Sequence, residues 1–206
     1  MKATTLAPAV TPAVILASAS KQRNLLMESL GIAFRTLPAD IDEAPISSSD
    51  PAGSVRAVAQ AKAQAILSSL STGELAGVVL IAADSCVVAD GVVLEKPQDT
   101  AEASEMLERC SGAEVTGHTG FVYYDLISEI TMETTVTGTA QFRELSQSEI
   151  RRYASTQPVT TWAGGFSPAY PEGASLLLGV SGSFTGFTHG FPMELVIPLL
   201  QESGQL

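Results

Sequence analysis

Short apolar runs and apolar stripes of helical period take turns along this chain, which is the pattern of strands alternating with helices. Val14-Ile15-Leu16-Ala17 is too short for a buried helix and reads as a strand. It breaks into Ser18-Ala19-Ser20 and restarts as a helix, with Ser20 as N-cap, Leu26 and Leu30 on one face, and Gly31 as the stop. Residues 33–37 alternate as a second strand that ends at Pro38. An acidic knot, Asp40-Ile41-Asp42-Glu43, and a Ser/Pro/Gly-rich loop from Pro45 to Gly53 lead into a helix over roughly Ser54 to Leu70. Its stripe is Val55, Val58, Ala59 and Ile66, and the position that completes the series is Lys62. A lysine on a buried stripe either snorkels to the rim or meets an anion.

The run Val78 to Ala83 is continuously apolar, as in a strand covered on both faces, and ends at Asp84-Ser85. Cys86 to Ala89 and Val92 to Leu94 then flank Asp90-Gly91, a type I′ hairpin signal. Pairing Ala89 with Val92 sets Ser85 opposite Lys96, while strict alternation puts Glu95 on the Asp84 face. The sequence leaves open which of the two side chains turns inward. A third helix carries Asp99-x-x-Glu102 as capping box, with Ala103, Met106, Leu107 and Cys110 as its buried stripe and Gly112 as its stop. Val115 to Tyr124 and Ile130 to Phe142 read as a long antiparallel pair. His118, in or just before the first of these, has no second ligand at metal spacing and reads as structural. Ser146-x-x-Glu149 opens another helix through Tyr153, on which Arg151 and Arg152 form a solvated face. Trp162 to Phe166 is a glycine-weakened loop, Ser175 to Val180 a last strand, and Gly190-Phe191-Pro192-Met193 opens a helix ending near Gln201.

Composition narrows what such a chain can do. Its 206 residues are 45% hydrophobic, enough to bury a core as one domain. Eleven Lys+Arg stand against 22 Asp+Glu, a net charge of −11, which argues against nucleic-acid polymers and anionic membranes as partners. Cys86 and Cys110 match no metal or disulfide spacing and fit a reducing compartment. Pro8 and Pro12 interrupt any signal-like apolar segment, so residues 1–12 read as a flexible leader, residues 13–206 as one domain, and the protein as cytoplasmic.

Candidate chemistry gathers at a few positions. A strand–turn–helix leaves backbone N–H groups and the positive end of a helix dipole over the turn. Ser18, Ser20, Lys21 and Arg23 add hydroxyls and cations to it, so the turn is either a phosphate site or an ordinary capped helix with solvated basic residues. Asp84 stands at the carboxyl end of a buried run, where open α/β sheets collect ligands. Lys62 and Lys96 are the only lysines after residue 22.

In order, the chain carries Leu16-Ala17-Ser18-Ala19-Ser20 with Arg23, Asp40-Ile41-Asp42-Glu43, Ala61-Lys62-Ala63, Ala83-Asp84 and Glu95-Lys96-Pro97. Met106-Leu107 with Ser111-Gly112, His118-Thr119-Gly120, Ala163-Gly164, Gly182-Ser183 and Gly190-Phe191-Pro192 follow. Over nearly its whole length it resembles the Maf (septum-formation-inhibitor-like) nucleoside triphosphate pyrophosphatases. That resemblance implies an elongated α/β fold like that of the ITPases, a mixed sheet flanked by helices with an active-site cleft between two lobes, in a cytoplasmic and often homodimeric protein. It implies hydrolysis of a nucleoside triphosphate to the monophosphate and pyrophosphate with Mg²⁺ or Mn²⁺. Carried over, Ser18, Ser20 and Arg23 hold phosphate, Glu43 and Asp84 manage metal and water with Asp84 as proton acceptor, and Lys62 and Lys96 neutralise the triphosphate. A triphosphate on so acidic a protein needs such local cations and metal.

The chain departs from the family in places. Ser20-Lys21-Gln22-Arg23 replaces the usual Ser-Pro-Arg-Arg, and Phe166-Ser167-Pro168-Ala169-Tyr170 lacks the usual glutamine. Phe184 to His189 is also unusual. Glu95 before Lys96-Pro97 leans towards the dTTP/UTP-type substrates rather than methylated GTP. The departures motivate a second reading, a nucleotide-binding regulator linked to cell division that keeps the pocket without useful catalysis.

Overall fold

The computed structural model describes residues 13–46 and 50–206, so the leader over residues 1–12 and the middle of the Pro45–Gly53 loop lie outside the described residues. In chain order the elements are β1 (Ala13–Leu16), α1 (Lys21–Ser29), β2 (Phe34–Thr36), α2 (Pro51–Ser69) and α3 (Thr72–Leu75). There follow β3 (Val78–Ala89), β4 (Val92–Leu94), α4 (Thr100–Cys110), β5 (Glu114–Asp125), β6 (Ile130–Phe142) and α5 (Gln147–Thr156). The chain closes with α6 (Pro171–Ala174), β7 (Leu177–Gly182), α7 (Phe184–His189) and α8 (Met193–Glu202). Among the described residues no helix is long and apolar enough to cross a membrane.

One seven-stranded mixed sheet organises all of this, in the order β2-β1-β3-β5-β6-β7 with β4 added to β3. β1 runs parallel to β2 and β3, while β3, β5, β6 and β7 are antiparallel in turn. Strand alternation sorts the side chains of its first half into two cores. Ile15, Ala17, Val78, Leu80, Ala82, Val122 and Tyr124 pack under α2. Val14, Leu16, Val79, Ile81, Ala83, Phe121 and Tyr123 pack against Met27 of α1 and Val196, Leu199 and Leu200 of α8. A third core, at the far end of the sheet, joins Ala89, Val115, Ala140 and Phe142 to α4 and α5.

The helices begin and end for local reasons. Asp50 caps α2 by accepting from Ala52 N, and Pro51 occupies its first turn, so α2 starts a turn earlier than the Ser54 expected from its stripe. Ser146 and Glu149 form the expected capping box on α5. At α4, Asp99 accepts from Ala101 N and Glu102 N, but Glu102 reaches Gln98 N rather than the cap itself. Asp90 and Gly91 sit at φ 51° and 70°, as a type I′ turn requires, and Ala89 pairs with Val92.

The structure differs from the sequence reading most at β3. Rather than an apolar strand ending at Asp84-Ser85 and a separate hairpin strand, β3 is one strand from Val78 to Ala89, registered on β5 from Val79↔Asp125 to Ala89↔Val115. No Gly or Pro interrupts the run, and β5 offers a ladder of matching length. Asp84 therefore stands in mid-strand, where the α2-covered part of the sheet gives way to the part covered by α4 and α5.

Candidate active site

Asp84 and Ser85 are neighbours in β3, so their side chains leave the sheet on opposite faces. Each meets its own set of partners. The functional residues accordingly fall into two groups joined by this one peptide.

On the α2 face, Lys62 comes down from the helix onto the strand. Its Nζ lies 2.7 Å from Asp84 Oδ1 and 2.8 Å from Glu43 Oε1, and its side chain is only 13% exposed. Gly120, directly across the ladder from Asp84, makes this approach possible. A Cβ there would come within 2.2 Å of Val55 O in the α2 backbone. Lys62 thus belongs to the buried stripe, as its spacing predicts, and resolves there by meeting anions. Of the two carboxylates, Asp84 is one-fifth exposed and Glu43 half exposed, so the cluster opens to solvent on the Glu43 side.

On the other face, Arg23 is buried at 7% exposure. Its Nε donates to Gly190 O at 2.9 Å, its NH1 to Ala83 O at 2.7 Å and to Ser18 Oγ at 3.1 Å, and its NH2 to Ser85 Oγ at 3.1 Å. Burial lowers the guanidinium pKa, and the nearby charges of Asp84 and Glu43 oppose that shift. Gly190, at φ 64°, lets the chain come close: a Cβ would lie 2.7 Å from Ser85 Oγ and 3.1 Å from Arg23 NH2. Sequence reasoning offered Arg23 to the turn as a phosphate donor. In the structure four of its five N–H groups donate to protein oxygens.

The turn itself follows the sequence reading, with one addition. Ser20 caps α1 by accepting from Arg23 N at 3.5 Å, and its own hydroxyl donates to Gln22 Oε1 at 3.1 Å. Gln22 stands where the family usually has arginine, and here it takes up the Ser20 proton. Ser18, just beyond the carboxyl end of β1, is 6% exposed and accepts from Ser20 N at 3.2 Å as well as from Arg23.

Lys96 joins neither group. It is exposed and makes no ion pair or hydrogen bond among the described residues. Its neighbour Glu95 lies close enough to act on the Cys86 thiol, whose pKa is pushed up to about 11 by burial first and then by Asp84 and Glu95, against a backbone hydrogen bond from His118. Cys86 shares the Asp84 face of β3, and the hairpin ladder on the return side ends at Leu94, paired with Val87. His118 Nδ1 sits 3.0 Å from Thr137 Oγ1, its cross-strand partner on β6. Sequence reasoning missed Ser85, for which the alternation of β3 beside Asp84 was the available signal. It also missed the carbonyls of Ala83 and Gly190, which no side-chain pattern announces.

Two carboxylates converging on one point are a donor set that suits a hard divalent cation, which fills its remaining positions with water and substrate phosphate oxygens. Among the described residues, no cluster of three or more His, Cys, Asp or Glu surrounds a common point. Glu43 and Asp84 supply carboxylate oxygens of that kind, and both are paired with Lys62 Nζ.

A family model described as Maf-like protein matches residues 13–203. The chain is 35% identical over 195 residues to a dTTP/UTP pyrophosphatase of Geobacter sp. (strain M21), covering 94% of this chain and 96% of the relative. It is 32% identical to a dTTP/UTP pyrophosphatase of Pelotomaculum thermopropionicum, over 93% of this chain and 96% of the relative. A third protein of that description, from Hahella chejuensis, is 35% identical over 93% of this chain and 92% of its own.

Proposed function

This chain belongs to the Maf-like protein family, and from that premise we propose that it hydrolyses a nucleoside triphosphate, of the dTTP/UTP type, to the monophosphate and pyrophosphate. The observation that carries this reading is the Glu43–Lys62–Asp84 cluster, which brings two carboxylates and a cation together on the α2 face of the sheet. The names of the relatives supply the substrate class.

In this reading, a water oxygen attacks the α-phosphorus, the α–β bridging P–O bond breaks, and pyrophosphate leaves with the electron pair. Asp84 accepts the proton of the attacking water. Its Oδ1 is held by Lys62, and its second oxygen makes no hydrogen bond among the described residues. Lys62 fixes the carboxylate and adds positive charge where the phosphates arrive. Lys96, without an ion pair among the described residues, reaches the triphosphate from the hairpin side. Ser18 donates to a phosphate oxygen. Glu43 and Asp84 would hold Mg²⁺ or Mn²⁺, which neutralises phosphate charge and makes a bound water more acidic. The same reading puts the protein in the cytoplasm, in keeping with Cys86 and Cys110 both being free thiols.

The test is pyrophosphate release from a panel of nucleoside triphosphates with Mg²⁺ or Mn²⁺ present. Turnover is expected, highest on dTTP or UTP, and falling at least about 10²-fold in Asp84→Asn, the scale of loss for a positioned acid–base group. Wild-type protein without turnover on any nucleotide, or full turnover in Asp84→Asn, contradicts the reading. Tight triphosphate binding without hydrolysis would instead support a regulator of cell division.

A further inference from the structure

Ser18 has a proton with nowhere to go. A hydroxyl has two acceptor lone pairs and one O–H donor. Both acceptor positions of Ser18 Oγ are filled, one by Arg23 NH1 at 3.1 Å and one by Ser20 N at 3.2 Å. The residue is 6% exposed, and among the described residues nothing accepts its proton. Ser85 Oγ also accepts from Arg23 NH2 at 3.1 Å and donates to no described residue, but Ser85 is exposed and its proton is open to solvent. The third hydroxyl of the region, Ser20, is different, because Gln22 Oε1 takes its proton.

Arg23 is therefore common to the two hydroxyls whose protons are unspent. A guanidinium can only donate, so each serine oxygen that receives it must turn its own proton elsewhere. We propose that Arg23 is a positioning residue that acts through Ser18 and Ser85, fixing both hydroxyls as outward donors to an anionic oxygen of the bound phosphates rather than binding phosphate itself. Ser18 follows the carboxyl end of β1 and Ser85 lies on β3, both beyond the parallel pair Leu16↔Ile81, so one guanidinium bridges the end of one strand and the middle of its neighbour. The bond to Ala83 O holds the peptide that leads into Asp84, and the bond to Gly190 O ties the C-terminal end of α7 to the same point. Replacing Arg23 by lysine keeps a positive charge but leaves too few donors to satisfy four oxygens. At least one serine can then reverse and become an acceptor, which repels phosphate.

This inference rests on the pyrophosphatase reading, and pyrophosphate with Mg²⁺ is the probe that tests it. Calorimetric titration is run on wild type, Ser18→Ala, Arg23→Lys, Ser18→Ala/Ser85→Ala, and that double variant carrying Arg23→Lys. A hydrogen bond to a charged group corresponds to roughly ten-fold or more in affinity. Ser18→Ala and Arg23→Lys are each expected to weaken pyrophosphate binding about ten-fold on that scale. In the double serine background, Arg23→Lys is expected to add less than about two-fold, because no hydroxyl remains for it to orient. An equal loss in both backgrounds makes Arg23 a direct phosphate ligand and overturns the inference. A lowered melting temperature with unchanged affinity makes it a merely structural clamp and overturns it too. Should Arg23→Lys not fold, Ser18→Ala and Ser85→Ala are titrated singly: each removes an outward donor together with one acceptor of Arg23, and unchanged affinity in both sinks the inference. Wild type that binds no pyrophosphate and turns over no nucleotide removes the pyrophosphatase reading itself, whereas wild type that binds with an additive cycle removes only the role of Arg23.

Discussion

Gly120 lies directly across the β3–β5 ladder from Asp84, and the space its side chain would take is filled by the α2 backbone at Val55. That close approach is what allows a lysine on α2 to reach a carboxylate in mid-sheet at 2.7 Å. Gly120→Ala therefore has two expected effects. Overpacking against backbone costs about 1–3 kcal/mol, read as a lower denaturant midpoint. Pushing α2 outward also draws Lys62 off Asp84, so turnover falls about ten-fold or more while the remaining fold survives. A variant with wild-type stability and activity would show that α2 does not depend on that gap.

Lys62 is shared between two carboxylates, and its removal leaves them facing each other without a cation. Lys62→Met keeps the length and apolar stem of the side chain. Turnover is expected to fall about 10²–10³-fold, the scale of losing one charged donor at a reacting phosphate. Stability drops by about 1–3 kcal/mol, because Asp84 is left partly buried with one hydrogen bond fewer. Steady-state kinetics and chemical denaturation of the same preparation separate the two effects.

How much of this was legible beforehand follows from what each signal depends on. Ser20 as a cap, Asp90-Gly91 as a hairpin turn and Lys62 on its stripe are local patterns, and each appears where its spacing predicts. The long β5–β6 pair was legible because alternation over a dozen residues admits few alternatives. Arg23 was not, because its partners include the carbonyls of Ala83 and Gly190, and a carbonyl's direction depends on tertiary packing. β3 was misjudged for a related reason. The change from apolar to polar residues at Asp84 marks a change in what covers the sheet, not the end of the strand. Helix α7 escaped notice as well, since Phe184-Thr-Gly-Phe-Thr-His has little helical propensity and is held instead by tertiary contacts.

Those contacts can be tested at Phe187. Gly117 and Gly138 are paired across β5 and β6, and added Cβ atoms at them would lie 2.7 Å from Phe187 Cδ2 and Cβ respectively. The ring thus sits on a floor of two glycines, beside Phe166 at a centroid distance of 6.5 Å. Phe187→Ala is expected to cost about 3–5 kcal/mol in denaturant unfolding, the range for emptying a buried aromatic site. Gly138→Ala should also destabilise, by overpacking rather than by a cavity, and the two losses should not add because they share one contact.

The pH dependence of stability near neutrality has a specific source. The chain has two histidines, and burial lowers the pKa of His189 from its usual value of about 6.5. The unfolded chain then takes up a proton more readily than the folded one as pH drops. His189 thus contributes stability that is present above about pH 6.5 and lost as pH falls through the lower folded-state value. Thermal melts between about pH 5 and 7 should show a falling melting temperature in wild type, with a shallower slope in His189→Gln. Equal slopes would assign the dependence to carboxylates instead.

The hairpin offers the sharpest check on which side chain faces the site. Burial first, then Asp84 and, more weakly, Glu95 raise the Cys86 thiol to about 11. Glu95→Gln removes one of the two negative charges, so the thiol pKa should fall and alkylation at about pH 9 should quicken, since the thiolate is the reacting form. Lys96→Met should leave the alkylation rate of the free protein nearly unchanged, because Lys96 is not among the groups acting on that thiol. In turnover the order reverses. Lys96→Met should raise KM for the triphosphate about ten-fold, as expected for a cation recruited only when phosphate is bound, with kcat changing less. Slower alkylation in Lys96→Met than in wild type, with Glu95→Gln unchanged, would mean that Lys96 and not Glu95 acts on that thiol, since losing a nearby cation raises a thiol pKa.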